Sequence, residues 1–137
     1  MSGTDLQERT SVLIVSEYPP YQTNLFSLVV ETVSAMLCRG ASVTLWMCGL
    51  ATVTCNEGAG TETSALLCLD KSRPPTMKGI LAAMRAEFGA ELTIVGCAEC
   101  SGECGYSVDR ELFRTGYLSH YARYLDAADK VYFVGRV

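Results

Sequence analysis

The clearest hydrophobic run is the first, Ser11-Val12-Leu13-Ile14-Val15, a β-branched stretch with no polar alternation. Such a run fits a strand buried on both faces, as in a parallel sheet. It stops at Glu17-Tyr18-Pro19-Pro20, where two prolines remove ladder donors. Leu25, Phe26, Val29, Val30, Val33, Met36 and Leu37 then recur at helical spacing, with Ser27, Glu31 and Ser34 on the other face. That pattern predicts an amphipathic helix over about 22–38, ended by Arg39-Gly40. A second strand is expected over Ser42 to Met47. From Gly49 to Thr63 the chain turns small and polar, which reads as a long loop. Ala65 to Leu69 fits a short strand or a helical turn. Pro74-Pro75 precede Met77, Ile80, Leu81, Met84 and Phe88, a second helix closed by Gly89. Glu91 to Val95 reads as a third strand. After a glycine- and cysteine-rich turn, Leu112, Phe113, Tyr117, Leu118, Tyr121, Tyr124 and Leu125 predict a third helix, and Val131 to Val134 a closing strand.

Strands alternating with helices predict an α/β fold: a small, doubly wound, mostly parallel sheet of four to five strands, flavodoxin- or Rossmann-like, with helices on both faces. The chain of 137 residues suits one domain over 11–137 behind a flexible N-terminus at 1–10. The polar start, Met1 to Thr10, lacks the apolar core of a secretory signal, and no run nears the roughly 18 apolar residues of a membrane span. The expectation is a cytoplasmic protein that engages no membrane. Acidic residues outnumber basic ones by 15 to 11. With no basic stripe, nucleic-acid binding is not expected.

Cysteine changes the picture most. There are seven, an odd number, in a chain long enough to fold without disulfide staples. Three fall together in Cys97-Ala98-Glu99-Cys100-Ser101-Gly102-Glu103-Cys104-Gly105, just past the third predicted strand. In open α/β sheets ligands and reactive groups gather past the carboxyl ends of the strands. As thiols, Cys97, Cys100 and Cys104 suit nucleophilic or disulfide chemistry. As metal ligands they supply three positions of a zinc or iron–sulfur site, the fourth falling to Cys48, Cys55, Cys68 or His120. Glu99 and Glu103 flank these thiols and would raise their pKa. Cys38, beside the first helix's apolar stripe, and Cys68, in an apolar run, read as packing residues. His120, the only histidine, reads as a helix-surface or partly packed imidazole. The tyrosines around it suit core or interface. No dinucleotide fingerprint and no Walker motif is present, and Glu17-Tyr18-Pro19-Pro20 stands where a flavin loop would need hydroxyls and glycine.

The order of these segments resembles the DsrE/DsrF-like family, which includes the TusD-type sulfur-relay subunits. Ser11 to Val15, then Pro20-Tyr21 and the helix Asn24 to Gly40, are similar to that family's opening strand, turn and helix. Ser42 to Leu50 resembles its second strand, and Met77 to Cys97 its helix, strand and terminal cysteine. Tyr117-Leu118-Ser119 through Ala127-Ala128-Asp129-Lys130-Val131, with Phe133 and Gly135, resembles its closing helix and last strand. The resemblance implies a persulfide carrier of sulfurtransferase type at Cys97. The clustering of Cys100 and Cys104 beside it adds them as auxiliary thiols, and the alternatives are the zinc or iron–sulfur module above and a non-catalytic assembly subunit. The resemblance also implies sulfur-donor and sulfur-acceptor protein partners and a homo- or hetero-oligomer. From the missing fingerprints no bound cofactor is expected unless the cysteines hold zinc or an iron–sulfur cluster. The chain departs from the family after Cys97. An alanine- and arginine-rich helix is usual there, whereas Ala98 to Gly105 is acidic and holds two more cysteines.

Overall fold

The computed structural model describes residues 9–19, 25–58 and 76–135. The expected strand or turn at Ala65 to Leu69, and Cys68 within it, lie outside the described residues. Among the described residues five strands form one parallel sheet: β1 (Ser11–Ser16), β2 (Ser42–Met47), β3 (Leu92–Cys97), β4 (Arg114–Gly116) and β5 (Lys130–Val134). Their spatial order is β4-β3-β2-β1-β5. The helices are α1 (Leu25–Cys38), α2 (Met77–Phe88), α3 (Ala98–Glu103) and α4 (Tyr121–Ala127). The fold is α/β, as the patterning predicts. None of the described helices is long and apolar enough to cross a membrane.

Successive connections from β1 to β4 step the same way across the sheet, and the last returns past β1 to place β5 at the far edge. Right-handed crossovers then put α1 and α2 on one face and α4 on the other. Core packing matches this. Val12, Ile14, Val43, Leu45, Leu92 and Ile94 pack with Phe26, Val33 and Leu81 on the α1/α2 face. Leu13, Val15, Trp46, Val95 and Cys97 pack with Tyr121 and Tyr124 on the α4 face. The inner strands alternate between two apolar layers, which is why their runs show no polar alternation. β5 is the exception. Its Val131, Tyr132 and Phe133 are exposed along an edge.

Local signals explain the helix ends. Thr76 caps α2, its hydroxyl accepting the Gly79 N–H at 3.0 Å. At the end of α1 the Ala41 N–H reaches Met36 O at 3.1 Å and Gly40 N–H reaches Leu37 O at 3.0 Å, a Schellman pairing.

Three expectations are corrected. The polar segment after β2 starts as a 3-10 helix, Gly49–Cys55, with Ala51, Thr52, Thr54 and Cys55 buried. The glycine- and cysteine-rich turn after β3 is the short helix α3. The third predicted helix begins only at Tyr121, because Phe113 is pulled into the α1/α2-face core and Arg114–Gly116 pairs with β3. A three-residue strand carries no periodic signal, and Phe113 sits at a spacing a helix would also accept.

Candidate functional site: a cluster of three thiols

Parallel register builds the site. Trp46 pairs with Val95 and Met47 with Gly96, so the next residues, Cys48 and Cys97, leave adjacent strand ends side by side. Neighbouring strands run about 4.8 Å apart, and residues at matching register share a face. Cys97 ends β3 and caps the start of α3, which brings Cys100 round on the first turn. The sulfurs of Cys48, Cys97 and Cys100 lie within 4.8 Å of one another. Cys48 Sγ and Cys100 Sγ are 3.4 Å apart. Cys97 is fully buried, whereas Cys48 and Cys100 are half-buried at the outside of the cluster.

Packing explains why the backbone can hold this shape. Gly96, one residue before Cys97, faces the other layer, where a Cβ would stand 3.1 Å from Val108 Cγ2 and 3.2 Å from Cys55 Cβ. A side chain there would make Val108 and Cys55 give way by a few tenths of an ångström. On the cysteine side, Trp46 lies under Tyr121 and Tyr124, with ring centroids 5.3 and 5.0 Å away in edge-to-face geometry.

Burial dominates the electrostatics. It pushes the Cys97 thiol up to about 12, while the Cys100 backbone N–H, directed at the sulfur, opposes that rise. The Cys48 thiol rises to about 11 from burial first and then from its contact with Cys100. Burial, followed by the neighbouring Cys48, also raises Tyr121. At neutral pH Cys48 and Cys97 are therefore protonated thiols. The Cys97 S–H points at Glu99 Oε2, 3.7 Å away. Glu99 is itself held by the Leu118 backbone N–H, at 3.3 Å to Oε1 and 3.2 Å to Oε2. A carboxylate fixed in this way can accept the thiol proton.

Of the three clustered residues expected from sequence, Cys97 and Cys100 meet. Cys104 lies outside the group, where its N–H closes the end of α3 on Cys100 O and Gly102 O. Cys48 joins instead. Cys55 is buried in the core on the α1/α2 face. Cys38, expected to pack, is exposed at the end of α1. His120 is exposed and makes an edge-to-face contact with Tyr117 at 5.8 Å. On the flank of α3 is a cleft of about 380 Å³ lined by Ala98, Ser101, Tyr106, Arg110 and Thr115 among others. The buried hydroxyls of Ser101 and Thr115 have no hydrogen-bond partner among the described residues.

No protein-family model matches the chain, and no curated protein matches it in sequence. Its fold does have a solved counterpart. The crystal structure of the YchN protein from E. coli superposes with a TM-score of 0.67. The match covers 90% of this chain and 98% of that one, at 16% sequence identity. The shared architecture is a flavodoxin-like α/β fold built on one parallel sheet.

Proposed function

We propose that this protein carries sulfane sulfur as a persulfide on Cys97, receiving it from one partner and passing it to another. The observation that carries this reading is the meeting of Cys48, Cys97 and Cys100 within 4.8 Å at the carboxyl ends of β2 and β3. The likeness of the fold to DsrE-type proteins supports it. Because Cys97 is enclosed, the half-buried Cys100 is the thiol that meets the donor. As thiolate it attacks the outer sulfur of a donor persulfide, forming Cys100–S–SH and releasing the donor thiol. Cys97 then takes the same sulfur: its proton leaves to Glu99, its thiolate attacks the outer sulfur of Cys100, and the departing Cys100 thiolate is reprotonated. Enclosure shields the stored sulfur from solvent thiols, and delivery runs the second step backwards. The Cys100 thiolate takes the outer sulfur from Cys97, and an acceptor thiolate then takes it from Cys100, releasing the Cys100 thiolate. Cys104 plays no part in these two steps.

Mass spectrometry after exposure to a small-molecule persulfide tests this. The peptide bearing Cys97 should gain 32 Da, and Cys100→Ser should slow that gain. If Cys97→Ser acquires stable adducts as readily as the parent, the assignment is wrong. The oligomer implied by the family resemblance belongs to the same reading. Exposed Leu118 and Leu125 by α4, and Val131 and Phe133 on β5, offer it apolar surface. Sedimentation equilibrium measures it, and a strictly monomeric protein would count against it.

A further inference from the structure

The three sulfurs also meet the requirements of a thiolate metal centre, and the set differs from the Cys97, Cys100, Cys104 run that stands out in the sequence. Tetrahedral zinc with Zn–S bonds of about 2.3 Å sets its sulfurs about 3.8 Å apart. Here one pair stands at 3.4 Å and all three lie within 4.8 Å, so shifts of a few tenths of an ångström to about one ångström make the trigonal face. The ligand arrangement is a Cys-x-x-Cys at a strand-to-helix turn, Cys97 and Cys100, plus one cysteine from the adjacent strand end, Cys48. Short local pairs of this kind, joined by a remote ligand, are how structural zinc is held.

The candidate for the fourth ligand is Glu99, whose carboxylate meets Cys97 but does not stand within 4.8 Å of all three sulfurs, so it must turn toward the cluster to close the tetrahedron. Zinc–oxygen and zinc–sulfur bonds at the tetrahedral angle place the two ligand atoms about 3.6 Å apart. Glu99 Oε2 stands 3.7 Å from Cys97 Sγ. Its carboxylate is held from behind by the Leu118 N–H, the outer-shell support that metal-ligating carboxylates usually have. Around the cluster lie Trp46, Tyr121 and Tyr124, an apolar wall that excludes competing water on one side. Three thiolates in such a place repel one another strongly, and a divalent ion at their centre removes that repulsion.

We infer that Cys48, Cys97 and Cys100 form the three-thiolate face of a binding site for one thiophilic divalent ion of the zinc class, with Glu99 turning in from beside Cys97 as the fourth ligand. This goes beyond the sulfur-carrying reading and does not depend on it. The same sulfurs serve both, so metal and sulfane sulfur exclude each other.

The experiment uses the full chain, reduced and stripped of metal, under nitrogen. Titration with Co2+ should give one ion per chain, with strong near-ultraviolet thiolate-to-cobalt absorption that Zn2+ then abolishes. Cys48→Ser and Cys100→Ser, both at half-buried positions, should each weaken zinc binding at least tenfold, measured against a chromophoric chelator. Glu99→Gln should weaken it about tenfold, and Cys104→Ser should leave it unchanged. Far-ultraviolet circular dichroism shows whether each variant is folded; if Cys48→Ser is not, Cys100→Ser decides alone. Absence of a one-to-one cobalt complex overturns the inference, as does a Cys104→Ser variant that loses as much affinity as Cys100→Ser. Persulfide loading is read by mass on separate, metal-free protein, so failure of either reading is told apart from failure of the other.

Discussion

Cys48 and Cys100 hold their sulfurs 3.4 Å apart across a sequence separation of 52 residues. An S–S bond is about 2.05 Å long, so little more than an ångström of approach separates this pair from a disulfide. A mild two-electron thiol oxidant should therefore join them. Peptide mapping should find Cys48 linked to Cys100, two hydrogens lighter, with Cys104 still open to alkylation. A dominant Cys100–Cys104 link would contradict the geometry.

Buried thiols make stability depend on pH. Burial, only partly offset by Lys78, pushes Cys55 up to about 12, against an ordinary 9.0. The unfolded chain then releases that proton at lower pH than the folded one. The contribution is complete below about pH 9 and is lost as pH rises toward 12, by up to about 1.4 kcal/mol per pH unit. Urea unfolding at pH 8 to 10.5 should show the loss, and Cys55→Ala should show a shallower one. Equal slopes would remove Cys55 from the explanation.

Lys78 and Asp109 form the most enclosed ion pair among the described residues. The Lys78 ammonium, with 2% side-chain exposure, lies 2.8 Å from Asp109 Oδ2 and donates to Asn56 O at 2.7 Å. It ties α2 to the segment that covers Gly96. Replacing Asp109 with Asn removes the carboxylate that faces a buried ammonium, which keeps its carbonyl partner at Asn56, and should cost about 1.5–3 kcal/mol, read from the shift in denaturant midpoint. Lys78→Met should cost less, because the charge left behind, the Asp109 carboxylate, is partly exposed and still accepts the Glu111 N–H. The Lys78 hydrogen bond also holds the Asp109 carboxyl below its ordinary 3.8. That part of the stability is present above pH 3.8 and is lost as pH falls through the folded-state value. A loss below about 0.5 kcal/mol for Asp109→Asn would show that the pair is dispensable.

Gly116 lies against the only tryptophan. A Cβ at that position would come within 2.8 Å of Trp46 Cη2 and collide with the Val95 side chain as well. Gly116→Ala should therefore cost about 1–3 kcal/mol and disturb Trp46 beneath Tyr121 and Tyr124. Tryptophan fluorescence reports it directly. An unchanged emission spectrum together with unchanged stability would mean that β4 yields without strain.

The long elements were legible in the sequence because each repeats its signal. β1, β2 and β3 are unbroken apolar runs filling two core layers, and α1 and α2 carry 3.6-residue stripes. α3 and β4 were not. Six and three residues are too few for a period to show, and α3 spends its positions on cysteine, glutamate and glycine. Cys97 and Cys100 could be picked out because they are neighbours in the chain.

Cys48 could be named only as one of four candidates to join them, since nothing near it in sequence singles it out. Its place beside Cys97 follows from the parallel pairing of Met47 with Gly96. A one-residue slip would have turned it to the opposite layer. Sequence by itself determined an α/β sheet, the positions of its buried strands, and a group of cysteines at one strand end. The tertiary structure decided which of them meet. Cys104, four residues after Cys100, is left out, and Cys48, 49 residues before Cys97, is brought in. The physical reason is that chain spacing controls contact only within a helical turn or two, whereas strand register controls it across the sheet.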